Sequence, residues 1–167
     1  MHPSSYNEAA RLVATYLPRD KALRILDVGA YDVNGTYRPL FDAPGWIYEG
    51  ADAAAGPNVT HVLLDPYCWT LPGTYDVIIS GQTLEHVEFF WLTWREMVRY
   101  LKPGGLIFLL LPSAGPEHRY PVDCWRFYRD GMTALGKLEG LEVVEAKTLL
   151  TEEPWRDTVG VFRKALS

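Results

Sequence analysis

Short apolar runs recur along the chain, and most of them are continuous rather than alternating with polar residues. Strands that are buried on both faces of a parallel sheet have this pattern, because neither face meets water. The pattern predicts strands at residues 24–28, 46–48, 59–64, 74–80, 106–111, 141–149 and 158–164. The segment between the last two is short for a crossover helix, so we expect these two strands to form an antiparallel hairpin.

Apolar residues at helical spacing predict three helices, at residues 5–17, 90–101 and 130–138. Ser5 and Glu8 match a capping box at the start of the first helix, and Pro18 ends it. The aromatic stripe of the second helix is expected to pack against the sheet. Alternating strands and helices with an antiparallel end predict an α/β sandwich around a mostly parallel sheet.

One long stretch has no clear period. Residues 112–129 read "PSAGPEHRYPVDCWRFYR", with three prolines and many polar groups. Long irregular stretches in compact domains are usually functional loops or lids, so we expect a substrate loop here. No repeat or linker divides the rest, and residues 1–167 are expected to form a single domain.

Composition narrows the classes of function. A hydrophobic content of 48% indicates a globular protein, and a formal net charge of −5 argues against a general nucleic-acid partner. No apolar run approaches the roughly 20 residues that a membrane helix needs, and the first residues lack the pattern of a secretory signal. We therefore expect a cytoplasmic protein with no membrane partner. Cys68 and Cys124 form no CxxC pair, and no disulfide is expected.

Ligands of parallel sheets bind at the carboxyl ends of the strands, so the residues after each strand are the candidates for function. In "RILDVGAYDVNG", Asp27 and Gly29 end the first strand, and Gly29 either admits a ligand or makes a tight turn. Tyr31 stands where a further glycine is usual in nucleotide-binding turns. Asp52 ends the second strand, roughly 20 residues onward, where an acid can accept ribose hydroxyls.

The next two strand ends extend this pattern. Asp65 and Pro66 follow the third strand, where the acid can accept an adenine amino group or merely form an Asp-Pro turn. Gly81 and Gln82 follow the fourth strand, and Glu85 and His86 come directly after them. Acids after three strands and polar groups after a fourth predict a nucleoside-type ligand.

Five segments in this order resemble class I S-adenosylmethionine-dependent methyltransferases: "ILDVGA", "YEGADAA", "LLDPYCWTLP", "YDVIISGQTLEHVEFF" and "MVRYLKPGG". The resemblance covers residues 22–111, and its most specific part is "QTLEHV" followed by "RYLKPGG" before a strand. It implies a three-layer sandwich with a Rossmann-like, seven-stranded, mostly parallel sheet whose last strand is antiparallel. It also implies S-adenosylmethionine as the cofactor. "GAYDVNG" together with "PSAGPEHRYPVDCWRFYRDGM" is similar to a bacterial subgroup of small methyltransferases.

By position, the resemblance implies that the cofactor is bound by Asp27, Gly29, Asp52, Asp65, Gly81 and Gln82. Tyr31, Ala53 and Pro66, which lie beside these residues, complete the predicted cofactor-binding set. Asp52 would hold the ribose, Asp65 the adenine amine, and Gly81 and Gln82 the methionine part. The chain departs from the family pattern at two places. Tyr31 replaces a glycine of the first loop, and "AAAGPNV" is too short for the usual helix between the second and third strands, which leaves the adenine side more open.

Transfer of a methyl group to oxygen or nitrogen needs a general base of near-neutral pKa, which histidine supplies. His86 and His118 are the catalytic candidates, although His86 could pack under the next helix and His118 could be a solvated loop residue. Arginines near His118 favour an anionic substrate or, alternatively, salt bridges within the chain. Glu85, His86, His118 and Cys124 have no spacing typical of metal ligands, so no metal is expected.

The leading hypothesis is a methyltransferase that acts on oxygen or nitrogen of a small molecule, such as a sugar or glycan precursor. One alternative is a non-catalytic methyltransferase-like subunit of a complex. Another is an NAD(P)-binding oxidoreductase, although Tyr31 removes the close approach of a pyrophosphate. Exposure of Phe89, Phe90 and Trp91 would favour a homodimer, and their burial would argue against one.

Overall fold

All the strands lie in one sheet in the computed structural model, which describes residues 3–150 and 154–166. The strands are β1 (Arg24–Val28), β2 (Ile47–Asp52), β3 (His61–Val62), β4 (Tyr75–Gly81), β5 (Leu101–Ala114), β6 (Glu142–Thr148) and β7 (Arg156–Arg163). Their spatial order is β3-β2-β1-β4-β5-β7-β6. From β1 the chain adds β2 and β3 toward one edge of the sheet, and then β4 and the later strands toward the other edge. The switch point therefore lies between β1 and β4, and open α/β sheets bind ligands at such a point.

The sheet is parallel except at β7, which pairs antiparallel with both β5 and β6. The predicted hairpin and the antiparallel last strand are therefore confirmed. β5 and β7 are apolar along most of their length and buried on both faces, as the continuous apolar runs predict.

Helices cover both faces of the sheet. They are α1 (Pro3–Tyr16), α2 (Phe90–Tyr100) and α3 (Arg129–Leu138), with 3₁₀ turns at 38–41 and 84–86. The buried residues of α1 join one apolar cluster, and those of α2 and α3 join another. The three-layer sandwich with a Rossmann-like sheet is thus confirmed. Within the described ranges, no helix is long and apolar enough to cross a membrane.

The start of α1 differs from the prediction. The helix includes Pro3 and Ser5, so Ser5 lies inside it rather than at its cap. The Ser5 hydroxyl is buried and lies 2.7 Å from the Tyr37 hydroxyl. Glu8 forms ion pairs with Arg11 and Lys147. The capping-box interpretation is wrong because both side chains have tertiary partners.

Three strands differ clearly in length from the prediction, and the first is β2, which continues from Ile47 to Asp52 instead of ending at residue 48. β3 has only two residues, and no helix joins it to β2, as the short intervening segment predicts. Asn58 holds that loop, because its Nδ2 donates to the Ala30 carbonyl oxygen at 2.9 Å. β5 begins at Leu101, since "LKPGG" continues as extended chain with a register shift between Tyr75 and Val77 of its partner strand.

The apolar stripe of α2 packs against the sheet as predicted, apart from its first turn. Trp94 is fully buried, its ring centroid lies 4.8 Å from that of Phe162, and its Nε1 donates to the Leu135 carbonyl oxygen at 3.1 Å. Trp91 remains 37% exposed, and the neighbouring Phe89 is 48% exposed. The first turn of α2 therefore leaves aromatic surface on the outside of the molecule.

Trp94→Ala is expected to lower the free energy of unfolding by about 4 kcal/mol, because it leaves a cavity and removes a buried hydrogen bond. The matched control, Trp91→Ala, should lower it by about 1 kcal/mol, since this ring is partly exposed. Urea denaturation followed by circular dichroism measures both values. Equal losses in the two variants would show that α2 packs differently from this structure.

Candidate functional site

A cavity of about 810 Å³ opens at the carboxyl ends of β1, β2 and β4. This volume lies within the range that small-molecule and cofactor sites occupy. Eight of the nine predicted cofactor residues and both predicted catalytic histidines line it: Asp27, Gly29, Tyr31, Asp52, Ala53, Pro66, Gly81, Gln82, His86 and His118. The fold thus brings together residues that are spread from position 27 to position 118 of the sequence.

Gly29 is required by the packing of two loops. Its φ is +84°, and a Cβ built on it would lie 1.9 Å from Thr83 Oγ1. Its amide donates to the Ala51 carbonyl oxygen at 2.9 Å. The loop after β1 therefore lies directly against the loop after β4, and only glycine fits this contact.

Tyr31 leaves the cavity open although it replaces a glycine. Its ring lies against Gly56, where an added Cβ would be 2.2 Å from the ring. Its amide donates to Asp52 Oδ2 at 3.1 Å, while Asp52 Oδ1 accepts from the Ala54 amide at 3.2 Å. These two amides hold the half-buried Asp52 carboxylate at the rim of the cavity, where it can still accept from a ligand.

Asp27 lies deeper in the cavity wall and is 3% exposed. It accepts a hydrogen bond from the Tyr48 hydroxyl, which in turn accepts from Asn58 Nδ2 at 3.1 Å. Burial raises the pKa of Asp27 to about 7, and the Tyr48 hydrogen bond opposes this effect. A cationic group of a ligand placed near Asp27 would favour its ionised form.

Gln82 offers an acceptor that the protein itself does not use. It has a φ of 55°, and its Nε2 donates to the Leu110 carbonyl oxygen at 3.2 Å and to Asp157 Oδ1 at 3.0 Å. Its Oε1 is buried without a hydrogen-bond partner in the described part of the chain. A buried acceptor of this kind favours a ligand that carries a donor, such as an ammonium group.

Asp65 is the predicted cofactor residue that does not line the cavity. It is exposed, and its Oδ1 accepts from the Tyr67 amide at 2.8 Å. This is the geometry of the Asp-Pro turn that the sequence leaves open as an alternative. The neighbouring wall of the cavity is apolar and includes Leu63, Pro66 and Trp69.

His86 and His118 meet at the wall of the cavity, with ring centroids 4.7 Å apart. His86 Nδ1 lies 2.6 Å from the Val122 carbonyl oxygen. Because a carbonyl oxygen only accepts, Nδ1 carries the proton and Nε2 carries the lone pair. Burial lowers the pKa of His86, which favours this neutral form.

Glu85 lies behind the two histidines and is fully buried. Its Oε1 is 3.7 Å from His86 Nε2, and neither carboxylate oxygen has a hydrogen-bond partner among residues 3–150 and 154–166. Burial raises the pKa of Glu85 to about 8. This unpartnered acid is the least satisfied group of the site.

The 112–129 segment is fixed to this side of the cavity. The Cys124 amide donates to the Glu85 carbonyl oxygen at 2.7 Å. Asp123 accepts from the His118 amide at 2.8 Å and from both terminal nitrogens of Arg126, at 2.6 and 2.8 Å. These hydrogen bonds hold the pKa of Asp123 far below its usual range. Arg126 therefore forms the internal salt bridge that the sequence allows as an alternative to an anion site.

Several lining residues are not among the predicted site residues. Tyr37, Thr83, Tyr120 and Trp155 line the cavity although they lie far from each other in sequence. Thr83 stands between two predicted site residues, Gln82 and His86, and this position is the one signal that could have indicated it. Tyr37 lies against Gly81, where a Cβ would be 2.1 Å from its hydroxyl.

Comparisons with known proteins identify the family and the fold. The family model described as "Methyltransferase domain" matches residues 4–144. One similar solved structure is the 1,6-didemethyltoxoflavin-N1-methyltransferase of Burkholderia thailandensis with bound 1,6-didemethyltoxoflavin and S-adenosylhomocysteine. Its TM-score is 0.75 at 15% identity, and the match covers 97% of this chain and 79% of that chain. A comparison with curated proteins finds no match.

Two further solved structures share the fold. The N-methyltransferase NodS of Bradyrhizobium japonicum, in complex with S-adenosylhomocysteine, has a TM-score of 0.66 at 15% identity, covering 96% of this chain and 86% of that chain. A chain of the Haloferax volcanii complex that contains the Trm112 methyltransferase activator has a TM-score of 0.69 at 16% identity, covering 97% of this chain and 91% of that chain. At such identities these likenesses show the fold alone.

Asp27→Asn is expected to remove a pH dependence of folding. The folded-state pKa of Asp27, about 7, lies above the ordinary value of 3.8. The protonated Asp27 carboxyl therefore contributes stability that is fully present below pH 3.8 and is lost as pH rises through about 7. The wild-type free energy of unfolding should therefore fall by up to about 4 kcal/mol relative to the variant between these limits.

Urea denaturation from pH 4 to pH 8 measures this difference. Asp42→Asn is the control, because the Asp42 side chain is 75% exposed, and its profile should run parallel to that of the wild type. A parallel profile for Asp27→Asn as well would contradict the buried environment of Asp27.

Proposed function

We propose, since the chain belongs to the methyltransferase domain family, that it transfers a methyl group from S-adenosylmethionine to a small molecule. The observation that carries the proposal is that one cavity is lined both by candidate cofactor ligands, Asp27, Asp52 and Gln82, and by two histidines, His86 and His118. We call the first group the first side of the cavity and the two histidines the second side. A cofactor on the first side would present its reactive group to an acceptor on the second.

The residues on the first side fit this cofactor. Asp52 would accept from the ribose hydroxyls, and the apolar wall with Leu63 and Pro66 would contact the adenine. Gln82 Oε1, buried without a protein partner among the described residues, and Asp27 would accept from the methionine ammonium. When bound, S-adenosylmethionine supplies an electrophilic methyl group on a sulfonium, and the protein's part is to bind and orient it. A direct role for the exposed Asp65 stays a prediction.

The second side would receive the acceptor. His86 Nε2 carries a lone pair at the cavity, and His118 stands beside it. We propose both as catalytic residues that position an acceptor oxygen or nitrogen and remove its proton. The 112–129 segment, which carries His118, would be the substrate loop of a single domain spanning residues 1–167.

For the acceptor we propose a sugar or glycan precursor that is methylated on oxygen or nitrogen. The size of the cavity suits a small molecule. Arg126 does not contribute to anion binding, because Asp123 occupies its guanidinium. Arg119 and Arg129 are exposed on the same segment and could meet an anionic substituent. A cytoplasmic location and a bacterial source stay predictions from the sequence.

One second function has a specific observation in its favour. Phe89, Trp91 and Trp125 are partly exposed next to the cavity, with ring centroids of Phe89 and Trp91 5.8 Å apart and those of Trp91 and Trp125 6.1 Å apart. Such a surface suits a second copy of the chain or another protein. The Haloferax volcanii complex with an activator is a precedent for the alternative of a methyltransferase-like subunit. Membership of the methyltransferase family disfavours the oxidoreductase alternative.

Calorimetric titration with S-adenosylhomocysteine is expected to show one site of micromolar affinity, and titration with NAD should show none. Asp52→Ala should weaken the binding at least about tenfold, because two backbone amides hold this carboxylate at the cavity rim. Asp42→Ala is the matched control and should bind like the wild type. Absence of S-adenosylhomocysteine binding to the wild type would favour the non-catalytic subunit.

His86→Ala and His118→Ala are each expected to lower kcat by about 10²- to 10⁴-fold, the usual contribution of a proton-transfer group, with little change in S-adenosylhomocysteine affinity. Turnover is measured with an acceptor found by screening sugars with methyl-labelled cofactor. His61→Ala is the control, because His61 pairs with Glu49 at 3.3 Å and does not line the cavity. Full turnover in both His86→Ala and His118→Ala would contradict the assignment of these histidines as catalytic residues.

A further inference from the structure

Three side chains with metal-binding atoms meet on the acceptor side of the cavity. One donor atom each from Glu85, His86 and His118 lies within 4.8 Å of the others. Two donors bound to one ion at about 2.1 Å are at most about 4.2 Å apart, so a small closure of the side chains would complete the set. Their sequence spacing shows no metal motif because the fold, through the 112–129 segment, brings His118 to the other two.

The carboxyl group of Glu85 has no hydrogen-bond partner in the described part of the protein. The side chain is fully buried, and both carboxylate oxygens lack hydrogen bonds. The nearby Arg126 is engaged by Asp123 at 2.6 and 2.8 Å and by the carbonyl oxygens of Trp125 and Pro116. A buried carboxyl group is normally hydrogen-bonded, paired or bound to a metal, and here it has no hydrogen bond and only the His86 imidazole at 3.7 Å.

His86 is held as a metal-bound histidine usually is. It donates from Nδ1 to the Val122 carbonyl oxygen at 2.6 Å, which leaves its Nε2 lone pair free at 3.7 Å from Glu85 Oε1. A backbone carbonyl in this position orients a metal-bound imidazole and sets which nitrogen binds. His118 is held through its backbone amide, which donates to Asp123 Oδ2 at 2.8 Å, while its Nδ1 is buried without a hydrogen bond in the described part of the chain.

We propose that Glu85, His86 and His118 bind a divalent transition-metal ion at the acceptor side of the cavity. Two imidazoles and one carboxylate suit Zn²⁺, Fe²⁺, Co²⁺ or Ni²⁺ better than Mg²⁺, which prefers oxygen ligands. Three protein ligands leave coordination positions free, as in catalytic metal sites. Both histidines line the cavity, so an ion bound to them would lie next to its open space.

The ligand that this site would take is an oxygen of the acceptor molecule, such as a hydroxyl or a carboxylate. The role of the metal ion rests on the proposed function, whereas its binding rests only on the three protein side chains. This metal site departs from the expectation of no metal that the sequence spacing supports. It also changes the role of the histidines, because a nitrogen lone pair bound to an ion cannot at the same time accept a proton.

The test is titration of the full chain, without a histidine tag and after treatment with a chelator, with ZnCl₂ and separately with CoCl₂. We expect one ion per chain by calorimetry and visible Co²⁺ absorption bands. Glu85→Gln, His86→Ala and His118→Ala should each weaken binding by about 10-fold or more. His61→Ala is the control, because His61 forms the other histidine–glutamate pair, with Glu49, and should bind like the wild type.

Thermal denaturation gives a second measurement that does not depend on activity. Zn²⁺ should raise the Tm of the wild type and of His61→Ala, but not that of Glu85→Gln. Without metal, Glu85→Gln should be at least as stable as the wild type, which shows that the variant folds. Binding weaker than about 1 mM, or equal binding in the wild type and the three ligand variants, would overturn the proposal. Neither readout involves methyl transfer, so this proposal and the proposed function fail independently.

Discussion

The site depends on the contact between the loops after β1 and β4. At Gly29 there is no room for a Cβ, because Thr83 Oγ1 occupies its place, and the positive φ of Gly29 lets the chain turn there. This contact lies at the switch point of the sheet, between β1 and β4, and the cavity lies next to it. The loop after β1 then places the Tyr31 amide at Asp52, and the loop after β4 carries Gln82 and continues into the 3₁₀ turn at 84–86. One packing contact thus fixes the two loops that carry most of the site residues.

Buried polar groups that the protein itself does not fully satisfy lie around this cavity. Asp27 and Glu85 are acids whose burial raises the pKa, and Gln82 Oε1 has no protein partner in the described ranges. A folded protein keeps such groups where a ligand can satisfy them, since each costs stability by itself. On the first side the fitting ligand carries an ammonium group, and on the second side it is a cation.

Much of the fold could be predicted from the sequence, because continuous apolar runs and helical spacing are local signals. The order of strands and helices, the antiparallel β7 and the missing helix after β2 all follow from them. Ser5 and Glu8 show the limit: their local pattern matches a cap, but Tyr37 and Lys147, distant in sequence, determine their contacts. The same limit applies to the site. Strand ends indicated the cofactor residues, whereas the meeting of Glu85 with His118 and the pairing of Arg126 with Asp123 depend on the path of an irregular segment that has no period.

A crystal structure of the protein with S-adenosylhomocysteine tests the central claim most directly, namely that the cavity holds the cofactor on its Asp52 side and the acceptor on its histidine side. The account predicts the adenosine against Asp52 and the apolar wall, and the homocysteine amine near Gln82 Oε1 and Asp27. The sulfur should face His86 and His118. Binding outside this cavity, or in it with the adenine against the two histidines, would contradict the account.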